Sequence, residues 1–320
     1  MANKKSLLKG REAMVVGIII AMVVLFSLLS QTFRTYTTLI SVLDCSYYVT
    51  LMAIGVTFPL ITCGVDLSIG TGLICYALFG GYLVVQKEMP VVVALIACVI
   101  VGTLMGTLNG YLVAVMELPP FLATLCTCMI NRGLGSLLSG GFGVAWPSAL
   151  EPAGKFRNIL RINVDGKIIP VGIFVIVAIV IIMSFVLNHT KIGRYTFAIG
   201  SNKEATKLAG VNVKFYHIAA YTICGFFAGL AAIAYSATYV TIYPGSGAGF
   251  EMDAIAGAIV GGVSASGGVG SILGAFLGVL VISLMKVGLP FIGLQANWQQ
   301  IITGLVLIGA ILIDVVKKKK

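Results

Sequence analysis

Long apolar runs separated by short polar breaks dominate this chain, and their lengths set the first reading. A helix needs ~20 apolar residues to cross a bilayer, and runs of that order recur from one end to the other. The pattern predicts spans at 14–31, 46–63, 68–86, 91–116, 121–142, 169–187, 215–240, 254–269, 271–289 and 297–315. The chain therefore reads as an all-α integral membrane protein, a single transmembrane domain over residues 1–320. It is expected to have about ten transmembrane helices, some broken or re-entrant at glycine-rich segments.

One polar island interrupts the pattern in the second half, over 188–214. It carries Lys191, Arg194, Lys203, Lys207 and Lys214 against one acid, Glu204, together with His189; His217 follows just after it. Within it, Ser201-Asn202-Lys203-Glu204 reads as a capping box, Ala205 to Ala209 as a short helix that includes Leu208, and Gly210 as its stop. A merely solvated loop has little need of a capped helix, whereas a loop that another protein pushes or pulls would use one.

Composition supports the membrane reading: 59% of residues are hydrophobic, 10% are charged, and the mean hydropathy is +1.06. The net charge of +10 comes mainly from the N-terminus, the island and the Lys317–Lys320 tail. Basic ends beside apolar spans are topology signals that face the cytoplasm, and they take precedence here over nucleic-acid binding. An even number of spans puts both ends and the island on that side. Lys4, Lys5, Lys9 and Arg11 ahead of 14–29 resemble a signal peptide, but no small-x-small cleavage site follows, so an uncleaved first span is expected. All seven cysteines lie in or beside apolar runs without metal-ligand spacing, and they read as small buried hydrophobes.

Glycines repeat every four residues at Gly102, Gly106 and Gly110 and at Gly270, Gly274 and Gly278, with a further pair at Gly225 and Gly229. Such ridges let helix backbones approach closely where lipid supplies no hydrophobic drive. The break at 64–70 places Asp66 and Ser68 between two spans, either to cap the following helix or to serve a pathway or gate, since acids at membrane depth default to function. The run 261–270, containing Gly262, Ser264 and Gly267, is too glycine-rich for an ordinary helix and is expected to bend beside the translocation route. Asn109, Asn131 and Ser136 either line a weakly polar route or bond between helices. Arg132 and Lys286 read as snorkelling charges. Glu251 and Asp253 open the eighth span on the outer side, where they complement a helix dipole. The outer loop 143–168 is basic through Lys155, Arg157, Arg161 and Lys167. Either translocated loops simply tolerate that charge, or Arg157, Arg161 and Glu251 help dock an extracytoplasmic partner.

The sequence has no G-x-x-x-x-G-K-[ST] loop, no series of intramembrane acids, no arginine ladder, no His/Cys cluster and no nucleophile elbow. An enzyme reading has nothing to stand on.

Six segments in order resemble the permease subunits of bacterial ABC importers for simple sugars, the ribose-type family. They are Gly-Val-Asp-Leu-Ser-Ile-Gly (64–70), Gly-Thr-Leu-Asn-Gly (106–110), Pro-Pro-Phe-Leu-Ala-Thr-Leu (119–125), Gly-Ser-Asn-Lys-Glu-Ala-Thr-Lys-Leu-Ala-Gly-Val (200–211), Phe-Glu-Met-Asp-Ala-Ile-Ala (250–256) and Gly-Gly-Val-Ser-Ala-Ser-Gly-Gly-Val-Gly (261–270). The resemblance covers about Thr50 to Asp314. It implies two permease copies, identical or sister chains, in the cytoplasmic membrane, two ATP-binding subunits beneath them and a sugar-binding protein outside. This chain would need no cofactor, because ATP would be bound by its partners. The resemblance also implies that Ser201–Gly210 is the coupling helix seated in a groove of the ATPase. Thr206, Lys207 and Ala265 depart from the family pattern and would tune which ATPase is recognised. A ribose-like pentose is the expected substrate by resemblance only. The rival readings are an ion-coupled transporter with Asp66 as its coupling acid and a membrane anchor that transports nothing.

Overall fold

The structure is a computed structural model that describes residues 4–164 and 166–319. Met1–Asn3, Asp165 of the outer loop and Lys320 of the basic tail lie outside the described residues. Twelve helices follow one another among the described residues. They are α1 (Lys4–Leu29), α2 (Tyr36–Ile61), α3 (Ile69–Val85), α4 (Val91–Ala114), α5 (Pro120–Leu138), α6 (Gly172–His189), α7 (Lys191–Ser201), α8 (Lys203–Leu208), α9 (Val213–Thr238), α10 (Phe250–Val260), α11 (Ile272–Phe291) and α12 (Ala296–Lys319). Among the described residues, strands are confined to two short antiparallel pairs, Val144–Ala145 with Thr241–Ile242 and Ile162–Val164 with Lys167–Ile169.

Seven of these helices are long and apolar enough to cross a membrane, while α3 and residues 297–312 of α12 are shorter apolar helices. The sequence pattern located these elements well, with two corrections. Helix α2 begins at Tyr36, ten residues before the expected 46, because Thr37, Thr38, Ser41 and Asp44 dilute the apolar signal without breaking the helix. The expected span 254–269 is an eleven-residue helix, α10. At 1.5 Å per residue it rises about 16 Å, roughly half a bilayer core, and a turn over 261–271 follows it.

Helix α2 is the centre of the fold, with Tyr47, Met52, Ile54, Phe58 and Ile61 fully buried. Helices α4 and α9 lie antiparallel along a glycine seam. Gly102 meets the backbones of Gly225 and Gly229, Gly106 meets Tyr221 and Gly225, and Gly110 meets Ile218. A methyl carbon on Gly106 would sit 2.8 Å from the Gly225 α-carbon, so any side chain there forces the helices apart. Gly274 and Gly278 similarly press on Gly261 and Gly257, packing α10 against α11. The repeats are therefore packing faces, as expected.

Cysteine burial is less uniform than the pattern suggested: Cys45, Cys75, Cys98 and Cys224 are buried, but Cys63 and Cys126 are exposed and Cys128 is half-buried. The reason for Cys63 is local, since it sits after the end of α2 with a positive φ of 63°.

Candidate functional site

The island is built from two helices rather than a loop around one. Thr190 caps α7, its hydroxyl accepting the Gly193 N–H at 3.5 Å. Helix α7 runs to Ser201, and after a single extended residue, Asn202, helix α8 begins. The capping residue is Asn202, whose Oδ1 accepts the Ala205 N–H at 2.9 Å, so the expected Ser201 capping box is displaced by one residue. Amide and hydroxyl caps are near-equivalent, and Ser201 is instead the last residue of α7. Glu204 lies in the first turn of α8, where it complements the helix dipole. Gly210 ends the unit at φ +79°, as expected. From Ser201 to Gly210 only Thr206 is buried, its hydroxyl donating to the Asn202 carbonyl at 2.7 Å. Thr206 is thus an inner strut, whereas Lys207 is exposed and Leu208 is 89% exposed.

Asp66, Ser68 and Asn109 form one buried cluster. Asp66 is 1% exposed, and its Oδ1 accepts the Ser68 N–H at 2.9 Å and the Ser68 hydroxyl at 2.6 Å. The Asn109 amide donates to Ser68 Oγ at 2.9 Å and lies 3.3–3.4 Å from both carboxylate oxygens. Ser68 is the N-cap of α3 but makes no side-chain cap bond. Asp66 closes a turn onto Ser68 itself, so the simple capping role gives way to a buried polar knot. Hydrogen bonds of this kind hold an otherwise costly acid in place. Asn131 stands apart, donating to Tyr76 Oη at 3.5 Å, and Ser136 is exposed on α5.

Gly262, Ser264 and Gly267 belong to a second group, the turn between α10 and α11. The turn is closed by Ser264 N–H to Val269 O at 2.9 Å and Gly267 N–H to Ser264 O at 3.1 Å. It is seated on the end of α2 through Gly268 N–H to Ile61 O at 2.9 Å. It also touches the last turn of α7, where Gly268 approaches Ser201 and Gly200. This turn therefore lies on the island side of the bundle. Residue-type reasoning missed Ile61, Cys63 and Gly200 as members of this junction. The available signal was Gly200, which opens the family-like motif at 200–211.

At the opposite end, Trp146 is 1% exposed and donates its indole N–H to the Ala77 carbonyl at 3.0 Å. Arg157, one of the expected docking residues, is 5% exposed. Its Nε donates to Pro147 O at 2.8 Å and its Nη1 to Ala237 O at 3.1 Å, so it clamps the loop onto α9 instead of offering a surface. Burial lowers its proton affinity. The nearby exposed Glu151 is held below the usual carboxylate range by the Ser148 N–H and hydroxyl. Arg157→Met is expected to destabilise the purified chain by about 2–3 kcal/mol, the scale of hydrogen bonds from a charged donor. Lys155→Gln, at an exposed position, is expected to leave its thermal unfolding unchanged.

Arg161 is partly exposed and forms an ion pair with Asp44, its Nε donating to Oδ1 at 2.7 Å. Glu251 does not join these arginines. Its carboxylate lies against Gly70 near the start of α3, whereas Gly81, towards the other end, packs on Trp146. Eleven helical residues separate the two levels, about 16 Å. The Pro-Gly turn at 244–249 therefore dips into the bundle, which charge patterning cannot reveal. Lys286 does not snorkel either; it is ion-paired to Asp253, with its Nζ 4.8 Å from the centre of the Phe250 ring.

With this architecture in view, a family model described as "Branched-chain amino acid transport system / permease component" matches residues 38–311. The chain belongs to that permease family. It is 32% identical over 300 residues to the ribose import permease protein RbsC of Escherichia coli (strain K12), covering 92% of this chain and 91% of the relative. It is 33% identical over 312 residues to the autoinducer 2 import system permease protein LsrC of Salmonella typhi, covering 97% and 87%. It is 33% identical over 264 residues to the fructose import permease protein FrcC of Rhizobium meliloti, covering 81% and 72%. No solved structure matches the chain. The permease is a multi-pass membrane protein whose relatives carry out transport.

Proposed function

We propose that this permease imports a monosaccharide, a ribose-like pentose in the first instance, as the membrane subunit of an ATP-binding-cassette system. The observation that carries the reading is the island: two capped helices beside the bundle, with Leu208 and the surrounding charges turned outward. Ser201, Asn202, Glu204, Ala205, Leu208, Ala209 and Gly210 form or flank the surface that a separate ATPase engages. This chain holds no cofactor and hydrolyses nothing; ATP is bound and split by its partners.

The family model is labelled for branched-chain amino acids, but relatives aligned over most of their length are named for ribose, fructose and autoinducer 2. Those names support a sugar-like cargo. A binding protein delivers it on the side of Trp146, where exposed Lys155 and half-buried Arg161 remain available for docking. Asp66, Ser68 and Asn109 form a gate beside the route, and Gly262, Ser264 and Gly267 form the turn that moves with it. We count ten crossings by adding to the seven long helices α3, α12 and the segment in which the 244–249 turn descends and the half-length α10 completes the passage. That count places both termini and the island in the cytoplasm, with the chain in the bacterial cytoplasmic membrane as one half of a homo- or heterodimer.

The deciding experiment is uptake of labelled ribose by proteoliposomes that contain the permease, its ATPase and its binding protein. Uptake is expected to require ATP and to persist when proton and sodium gradients are collapsed. Uptake that ignores ATP and stops with either gradient would overturn this reading in favour of an ion-coupled carrier. Unlabelled fructose and galactose in excess test the cargo, since ribose is expected to compete best.

A further inference from the structure

Three segments from distant parts of the chain meet at one point beneath the bundle. The first is the end of α2 at Ile61 and Cys63, the second is Gly200 in the last turn of α7, and the third is the 266–268 part of the turn between α10 and α11. Gly268 N–H donates to Ile61 O at 2.9 Å. Cys63 Sγ donates to Ser266 O at 3.2 Å and faces Gly200 O at 3.5 Å. A methyl on Gly200 would collide with the Ile61 carbonyl and come within 2.6 Å of the Gly268 nitrogen. Gly267 is equally crowded, by the Cys63 sulfur and by Ile61 O at 2.9 Å, and it holds φ +77°.

We infer that Gly200 is a positioning residue that makes the island move both membrane breaks together. Its bare α-carbon is wedged between α2 and the glycine turn, so a displacement of α7 and α8 bears on both. One break continues from Cys63 to Asp66, only three residues and at most ~10 Å of chain. The other hangs from the half-length helix α10, whose opposite end carries Glu251 and Asp253. The Cys63 thiol is a weak donor, and the closest approaches at Gly200 are to the backbone of Ile61 and Gly268. Transmission therefore rests on contact between backbones, and interfaces packed this closely switch between discrete arrangements instead of deforming smoothly.

The inference rests on the importer reading, and its test separates the two. Ser266→Cys is introduced into the native chain, assembled with the ATPase and binding protein, and oxidised with copper phenanthroline to join it to Cys63. Locking the junction is expected to cut ribose uptake at least tenfold while the ATPase stays bound and still turns over ATP, and reductant is expected to restore uptake. The Ser266→Cys/Cys63→Ala chain is expected to be insensitive to the oxidant. A second variant, Gly200→Ala, is expected to raise the ATP consumed per sugar delivered at least tenfold with ATPase binding retained. Locked complexes that transport at the unlocked rate would overturn the inference, as would thiols that fail to join. Release of the ATPase from Gly200→Ala would place the defect in docking and also overturn it. If the unmodified complex shows no ATP-driven uptake, it is the importer reading that fails.

Discussion

Gly106→Leu is expected to prevent the permease from accumulating as a folded membrane protein, and it is the largest structural effect we foresee. The position faces the Tyr221 carbonyl and the Gly225 backbone across the α4–α9 seam, with both neighbours fixed in a helix. No flexible side-chain end is there to yield. Overpacking in well-packed cores typically costs about 1–3 kcal/mol. Here the cost should reach or exceed the top of that range, because separating the helices breaks the contacts at Gly102 and Gly110 as well. In lipid that close contact, rather than water exclusion, holds helices together. The matched control is Gly133→Leu on α5, where an added β-carbon meets nothing within 4 Å. Fluorescence-detected size-exclusion chromatography of tagged chains should show a monodisperse peak for Gly133→Leu and aggregate or no peak for Gly106→Leu. Equal, normal peaks for both would mean that the seam is not a packing contact in the membrane.

The seam was legible in the sequence because small residues every four positions report a helix face directly. The long spans were legible for a similar reason, since their apolar runs are uninterrupted. What escaped sequence reading depends on contacts between distant residues. Arg157 looked like surface charge, and only the carbonyls of Pro147 and Ala237, ten and eighty residues away, show that it is a buried clamp. Glu251 looked external because the span count put the start of the eighth span on the outer side; the turn before it descends until the acid rests on Gly70. Helix α7 was hidden because Arg194, Tyr195 and Thr196 break the apolar pattern and Gly193 and Gly200 suggest a loop. Both glycines are there for space, one against Leu187 and the other against Ile61. Asp66 and Asn109 were each singled out, but nothing in the spacing of 43 residues could show that they share a hydrogen-bonded knot.

Leu208→Asp is expected to disconnect the permease from its ATPase while leaving the permease itself intact. Leucine at 89% exposure, at the end of a capped helix and flanked by Lys203, Glu204 and Lys207, has no folding reason to stay there. On the proposed importer reading it is expected to be buried in a partner's groove, and buried apolar anchors are where interfaces concentrate their binding energy. Replacing such an anchor with a carboxylate forfeits its transfer free energy and strands a charge in an apolar socket. A loss of about 2–4 kcal/mol follows, which is roughly a 30- to 1000-fold weaker association. Co-purification with the ATPase should fall accordingly, and ATP-driven uptake should drop by at least tenfold. Thermal unfolding of the isolated permease should not change, because among residues 201–210 only Thr206 is buried in the chain. Thr206→Val supplies the converse case: it removes the hydroxyl bond to Asn202 at 2.7 Å and should loosen α8 without altering its outer face. A Leu208→Asp chain that binds the ATPase normally would remove α8 from the interface and shift the search for the docking surface to α7.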